Sequence, residues 1–208
     1  MGQSERTAMN SQALACVAPA QNRHIALVRG VNVGGHSLIK MAELRHLFEA
    51  AGCAEVVTHI QSGNVVFSCT AARREQVVKQ IETRLETQIG PRTKVFVFTR
   101  AELEDAVEHN PFHPERSEHE DLCQFMFLSA VPEAARSQAL MKLQGTEYRF
   151  HLHDKVLYYT YPKRIAGKRR NINFERVLAV FGTTRNWQVV NKLIEIARRE
   201  EKSDEAQT

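Results

Sequence analysis

The chain has 208 residues, 43% of them hydrophobic, and its 28 basic and 24 acidic side chains leave a formal net charge of +4, so it can bury a core as one large domain or two small ones. No apolar run reaches the roughly 18 residues of a membrane span. The four cysteines, Cys16, Cys53, Cys69 and Cys123, lie far apart without a C-x-x-C pair, which argues against a zinc ribbon or disulfide framework and fits a reducing cytoplasm.

Residues 1–21 are small and polar and lack the basic start of a secretory signal, so they read as a disordered tail. HIALV then reads as a strand. The spacing of Met41, Leu44, Leu47, Phe48 and Ala51 predicts a helix closed by Gly52. EVVTHI and VVFSC are β-branched runs around QSGN, a hairpin with Gly63 in its turn. Val77, Val78, Ile81, Leu85 and Ile89 mark a long helix from Ala71 that Gly90 and Pro91 end, and KVFVF is a strand. The order is β-α-β-β-α-β, the ferredoxin-like arrangement of an antiparallel sheet with helices on one face.

The second half begins with a capping box, Thr99 to Glu102, for a short helix that Asn110 and Pro111 stop. LCQFMFL is a strand, and Pro132 opens a helix to about Leu143. TEYRFHL and KVLYYTY form a hairpin across the His153–Asp154 turn, and INFERVLAVF is a helix ended by Gly182. TTRNW supplies a last short strand, with Asn186 capping a helix that carries Trp187, Val190, Leu193, Ile194 and Ala197. The expected fold class is therefore α+β, with two ferredoxin-like (α/β-plait) domains built on antiparallel sheets. The expected domain boundaries are 22–99 and 100–200, followed by a C-terminal tail, 201–208.

The loop after the first strand, RGVNVGGHS, spaces Gly30, Gly35, His36 and Ser37 as G-x-x-x-x-G-H-S. A nucleotide phosphate loop reads G-x-x-x-x-G-K-[ST] and follows a parallel strand. Here His36 replaces the lysine, the helix begins only near Met41, and the inferred sheet is antiparallel. A nucleotide-hydrolysing loop is rejected. Two readings stay open: a tight strand-to-helix connection, or an anion patch in which the N–H groups of Gly34 and Gly35 are flanked by Arg29, Asn32 and Lys40.

The runs ALVRGVNVGGHSLIKMAELR and THIQSGNVVF resemble the opening signature of the domain-of-unknown-function family DUF1697. The matching positions are Arg29, Gly30, Asn32, Val33, Gly34, Gly35, Met41, Leu44, Gln61, Ser62, Gly63 and Asn64. Asn110–Phe112 (NPF) and Thr183–Trp187 (TTRNW) extend the likeness, which covers roughly Arg23 to Arg199. His59 stands where the family often has tyrosine. The resemblance implies two linked ferredoxin-like domains; it brings no activity, cofactor or substrate with it.

Other chemistry is weakly marked. Ser62 lacks the G-x-S-x-G strand-to-helix elbow of a nucleophile. His151, His153 and Asp154 sit at a hairpin end with too few ligands for a metal, so no metal is expected. Phe96, Phe98, Phe125 and Phe127 lack the RNP1 context of an RNA-binding sheet and read as core or interdomain packing. Trp187 reads as a core anchor. The remaining signal is polar. Arg29, Asn32, Lys40, Gln61, Ser62, Asn64 and Arg185, with Gly34 and Gly35, are candidate ligand contacts, and Lys163, Arg164, Lys168, Arg169 and Arg170 form either a solvated basic loop or an anion or nucleic-acid contact. No cofactor can be read from these residues. The function expected is binding of a phosphorylated or nucleotide-like anion, or of nucleic acid, at a polar cleft; the alternatives are an enzyme acting on a small phosphorylated substrate between the domains and a protein-interaction scaffold.

Overall fold

The computed structural model describes residues 21–32, 39–112, 121–145, 148–162 and 172–198. The first half runs β1 (Gln21–Arg29), α1 (Met41–Ala50), β2 (Ala54–His59), β3 (Asn64–Thr70), α2 (Arg74–Ile89) and β4 (Lys94–Thr99). After α3 (Arg100–Glu108), the second half runs β5 (Asp121–Leu128), α4 (Ala134–Met141), β6 (Arg149–His153), β7 (Val156–Pro162), α5 (Phe174–Leu178), β8 (Gly182–Asn186) and α6 (Trp187–Arg198). The strands form two antiparallel four-stranded sheets, ordered β2-β3-β1-β4 and β6-β7-β5-β8. The protein is thus α+β. Each half repeats the same β-α-β-β-α-β order with its first and third strands central.

The central strands explain why the apolar runs are continuous rather than alternating. Along β1, Ala26 and Val28 face α1 and α2 in a core with Leu44, Phe48, Ile81 and Leu85. Ile25 and Leu27 face the opposite way, and both faces of the strand are dry. The second sheet does the same: Met126 and Leu128 pack with Leu140 of α4 and Leu178 of α5, while Phe125 and Phe127 turn toward the first half. The faces that α1, α2, α4 and α5 leave uncovered therefore meet. Their shared core holds Ile25, Leu27 and Val66 from one sheet, Phe125, Phe127 and Tyr158 from the other, and the apolar sides of α3 and α6. The rings of Phe98 and Phe127 approach to 4.8 Å across it, and Trp187 stacks on Phe125 at 5.9 Å.

Five local expectations are corrected. The helix expected to run to Phe181 is only Phe174–Leu178, because Ala179 turns left-handed at φ 57°. Gly182 does not close a helix; it opens β8, where an added Cβ would lie 2.4 Å from Met126 Cε. The β6–β7 turn is centred on Asp154 and Lys155, one residue later than expected, with Asp154 at φ 47°. The helix expected from Pro132 to Leu143 is trimmed to Ala134–Met141, and β1 begins at Gln21, the last residue assigned to the tail. Residues 1–20 and the C-terminal tail 201–208 lie outside the described residues. The capping predictions hold: Thr99 and Glu102 make a reciprocal capping box, and Asn186 Oδ1 accepts from Val189 N–H at 2.8 Å.

Candidate functional site

Two arginines tie the halves together in opposite directions. Arg185, at the β8 end, reaches into the first half. Its Nε–H donates to Asn64 Oδ1, and one terminal nitrogen donates to the carbonyls of Val28 (3.1 Å) and Ser62 (2.8 Å). The other terminal nitrogen donates to Thr183 Oγ1 (2.8 Å) and the Thr184 carbonyl (2.7 Å). All five N–H groups are used, and every acceptor is neutral. Burial, at 8% exposure, lowers the pKa to about 10, which still leaves the guanidinium charged at neutral pH. Asn64, fully buried, completes the knot by donating to the His59 carbonyl (3.1 Å) and Ser62 Oγ (2.9 Å).

Arg29, at the β1 end, reaches into the second half. Its guanidinium forms a fork with Glu175, Nε to Oε1 at 2.7 Å and a terminal nitrogen to Oε2 at 2.6 Å, and it also donates to the carbonyls of Gly182 (3.1 Å) and Arg92. Glu175 Oε1 accepts from Gly182 N–H as well, at 2.8 Å. Burial pushes the Glu175 carboxyl upward, but the Arg29 hydrogen bonds and charge, the Gly182 N–H and nearby Arg92 outweigh it and leave the pKa below the ordinary value.

Asn32 closes the glycine loop at its base. At φ 54° its side chain donates to the carbonyls of Ile39 (3.1 Å) and Gln61 (2.8 Å) and accepts from Ile39 N–H (2.9 Å). The residues between them, Gly34 and Gly35 included, lie outside the described residues. Of the expected ligand contacts, Asn32, Ser62, Asn64 and Arg185 are brought together with the Gln61 backbone, as a filled hydrogen-bonded knot and not as the lining of a cavity. The Gln61 side chain is exposed, and Lys40 is an exposed residue just before α1. Lys163, Arg164, Lys168, Arg169 and Arg170 lie outside the described residues. Among the described residues no group of three His, Cys, Asp or Glu side chains converges as metal ligands.

The cleft associated with these motifs lies where Arg29 crosses between the halves. It is an open cleft of about 560 Å³, lined by Arg29 and Arg92 from the first half and by Ser129, Asn173, Glu175, Arg176 and Phe181, among others, from the second. Three arginines and one glutamate line it, and the charges of Arg29 and Arg92 both act on Glu175. Arg29 is neutralised by Glu175, whereas the side chains of Arg92 and Arg176 make no hydrogen bond or close ion pair among the described residues, and Arg92 acts on Glu175 only through its charge. Sequence reasoning found only Arg29 of this set. Arg92 follows the first half's helix-ending Gly90 and Pro91, and Arg176 reads as one face of a helix, so no spacing signal links them.

Two antiparallel sheets, each with helices on its outer face and a common core between them, define a two-sheet α+β protein. The family described as "Protein of unknown function (DUF1697)" matches residues 21–158, and the chain belongs to that family. That span includes Arg29, Asn32 and Asn64 but stops before Glu175 and Arg185. Among solved structures, the chain is similar to the conserved bacterial protein SP0830 from Streptococcus pneumoniae, with a TM-score of 0.66 and 21% identity over 86% of this chain and 100% of that one. At that identity the likeness is one of fold. No curated protein matches the chain, and no described helix is long and apolar enough to cross a membrane.

Proposed function

We propose that the protein binds a phosphorylated, anionic ligand in the cleft between its two halves. The observation that carries this reading is the pair of exposed arginines, Arg92 and Arg176, that line the cleft without a direct hydrogen bond or close ion pair of their own, beside an Arg29 already neutralised by Glu175. Guanidinium forks suit phosphate oxygens, and a volume of about 560 Å³ falls within the range of small-molecule sites. Arg29 forms the cleft wall. Asn32, Gln61, Ser62, Asn64 and Arg185 act as positioning residues that fix the ends of β1 and β8 on either side of it. Lys40 and the basic run Lys163, Arg164, Lys168, Arg169 and Arg170 extend the anionic preference by electrostatic attraction, and the N–H groups of Gly34 and Gly35 are further candidate donors to the ligand. No residue is assigned a catalytic step, so we favour a binding role over an enzymatic one. The three described cysteines, buried and free, suit the reducing cytoplasm in which we place the protein.

A thermal-shift screen of nucleotides, sugar phosphates and short RNAs at low and high salt tests this. We expect small phosphorylated ligands to stabilise the protein and the R92Q/R176Q variant to lose that stabilisation. Stabilisation by RNA alone, steeply salt-dependent and unaffected in R92Q/R176Q, would instead place the interaction on the basic run. No response to any of these probes would favour a protein-interaction scaffold.

A further inference from the structure

We infer that the ligand of this cleft is a nucleoside monophosphate, whose base stacks on Phe181 while Arg92 and Arg176 hold the phosphate. This rests on the anion-binding reading above and adds a requirement for a planar group. Phe181 is 51% exposed, and among the described residues it is the only Phe, Tyr or Trp with so open a side chain. The guanidinium of Arg29 lies over its ring at 5.3 Å from the centroid, and that guanidinium is itself fixed by the Glu175 fork. The peptide unit that follows the ring is pinned as well: the Phe181 carbonyl accepts from Ser129 N–H at 2.9 Å, and Gly182 N–H donates to Glu175.

A phenylalanine held this firmly without an apolar cover is a stacking platform, because the ordering cost is met before the ligand arrives. The cation behind the ring occupies one face, and the exposure marks the side left for a base. Every nucleobase offers a π-face, so such a platform selects nucleotides over sugar phosphates without selecting one base. Arg92 and Arg176 line the same cleft, which places both halves of a nucleotide's chemistry, ring and phosphate, within one site.

Isothermal titration with adenosine 5′-monophosphate and with ribose 5-phosphate, on the full chain and its F181A, F181L and R92Q/R176Q variants, tests the inference. Phe181 is exposed, so F181A should keep the native melting temperature; F181L retains apolar bulk and removes only the aromatic face. We expect both Phe181 variants to weaken adenosine 5′-monophosphate about tenfold and to leave ribose 5-phosphate unchanged, with R92Q/R176Q weakening both. Equal affinities for the two phosphates, or equal losses in the Phe181 variants, would overturn the nucleotide assignment while leaving the anion site standing. Failure of R92Q/R176Q to weaken either would remove the anion site and this inference with it.

Discussion

His24 is 2% exposed on the helix-covered face of the first sheet, 5.6 Å from the Phe67 ring, and neither ring nitrogen has a hydrogen-bond partner among the described residues. Burial, and then the charge of Arg74, lower its pKa; Glu102 pulls weakly the other way. The folded protein therefore holds His24 neutral, whereas the unfolded chain takes up a proton near the ordinary value of about 6.5. Below that value the unfolded state binds more protons, so the stability contributed by the depressed pKa is present above it and is lost as the pH falls toward the folded pKa. We expect His24→Leu to reduce the slope of melting temperature against pH between 7 and 5 without loss of stability at pH 7. His59, also lowered by burial and by Lys192, retains its own share of that slope. An unchanged slope in the variant would refute the assignment. The position follows from sequence, since His24 begins the predicted first strand, but its sensitivity does not: it depends on α2 delivering Arg74, and β3 delivering Phe67, to that face.

At the scale of elements, the QSGN turn shows how one glycine meets two demands. Gly63 has φ 72°, which favours glycine, and an added Cβ would lie 2.5 Å from Val31 Cγ2 and 2.9 Å from the Val28 carbonyl. Its own carbonyl accepts from Val28 N–H at 2.7 Å. The turn is thus pressed against the end of β1, where Arg185 also docks. We expect Gly63→Ala to cost more than about 1 kcal/mol in urea unfolding, whereas Gly145→Ala, with open space and no positive φ, should be nearly neutral. Equal effects would mean that the turn relaxes freely. The sequence identified the hairpin glycine correctly but could not show its packing against Val28. Gly182 is the opposite case: its local sequence has the form of a helix-ending signal, but its space is set by Met126 on the neighbouring strand.

For the whole molecule, the shared core and the two arginines make independent unfolding of the halves costly. We propose residues 22–99 and 100–200 as two units that unfold as one. Ile25 and Leu27 of the first and Phe125 and Phe127 of the second would both be uncovered if the units parted. Arg185→Met leaves the Val28, Ser62 and Thr184 carbonyls and Asn64 Oδ1 without the donor they have now. Buried acceptors left unmatched cost about 1–3 kcal/mol each, and we expect a total loss of at least about 3 kcal/mol. The transition should remain single, with Trp187 fluorescence and far-ultraviolet circular dichroism coinciding. Two separated transitions in the unmodified protein would show instead that the halves are independent units.

The sequence by itself determined the strands, most of the helices and their repeated order, because apolar periodicity, caps and turn residues are local properties recorded within a few positions. It also pointed to Arg29, Asn32, Asn64 and Arg185 as residues whose polar groups meet others. Their partners were decided only by tertiary structure: Arg185 joins Asn64 from 121 positions away, and Arg29 joins Glu175 from 146. No local pattern encodes a distance of that kind. The same applies to the cleft, since Arg92, Arg176 and Phe181 become neighbours only after the uncovered faces of two sheets have closed on one another, driven by the apolar surface that each half cannot bury alone.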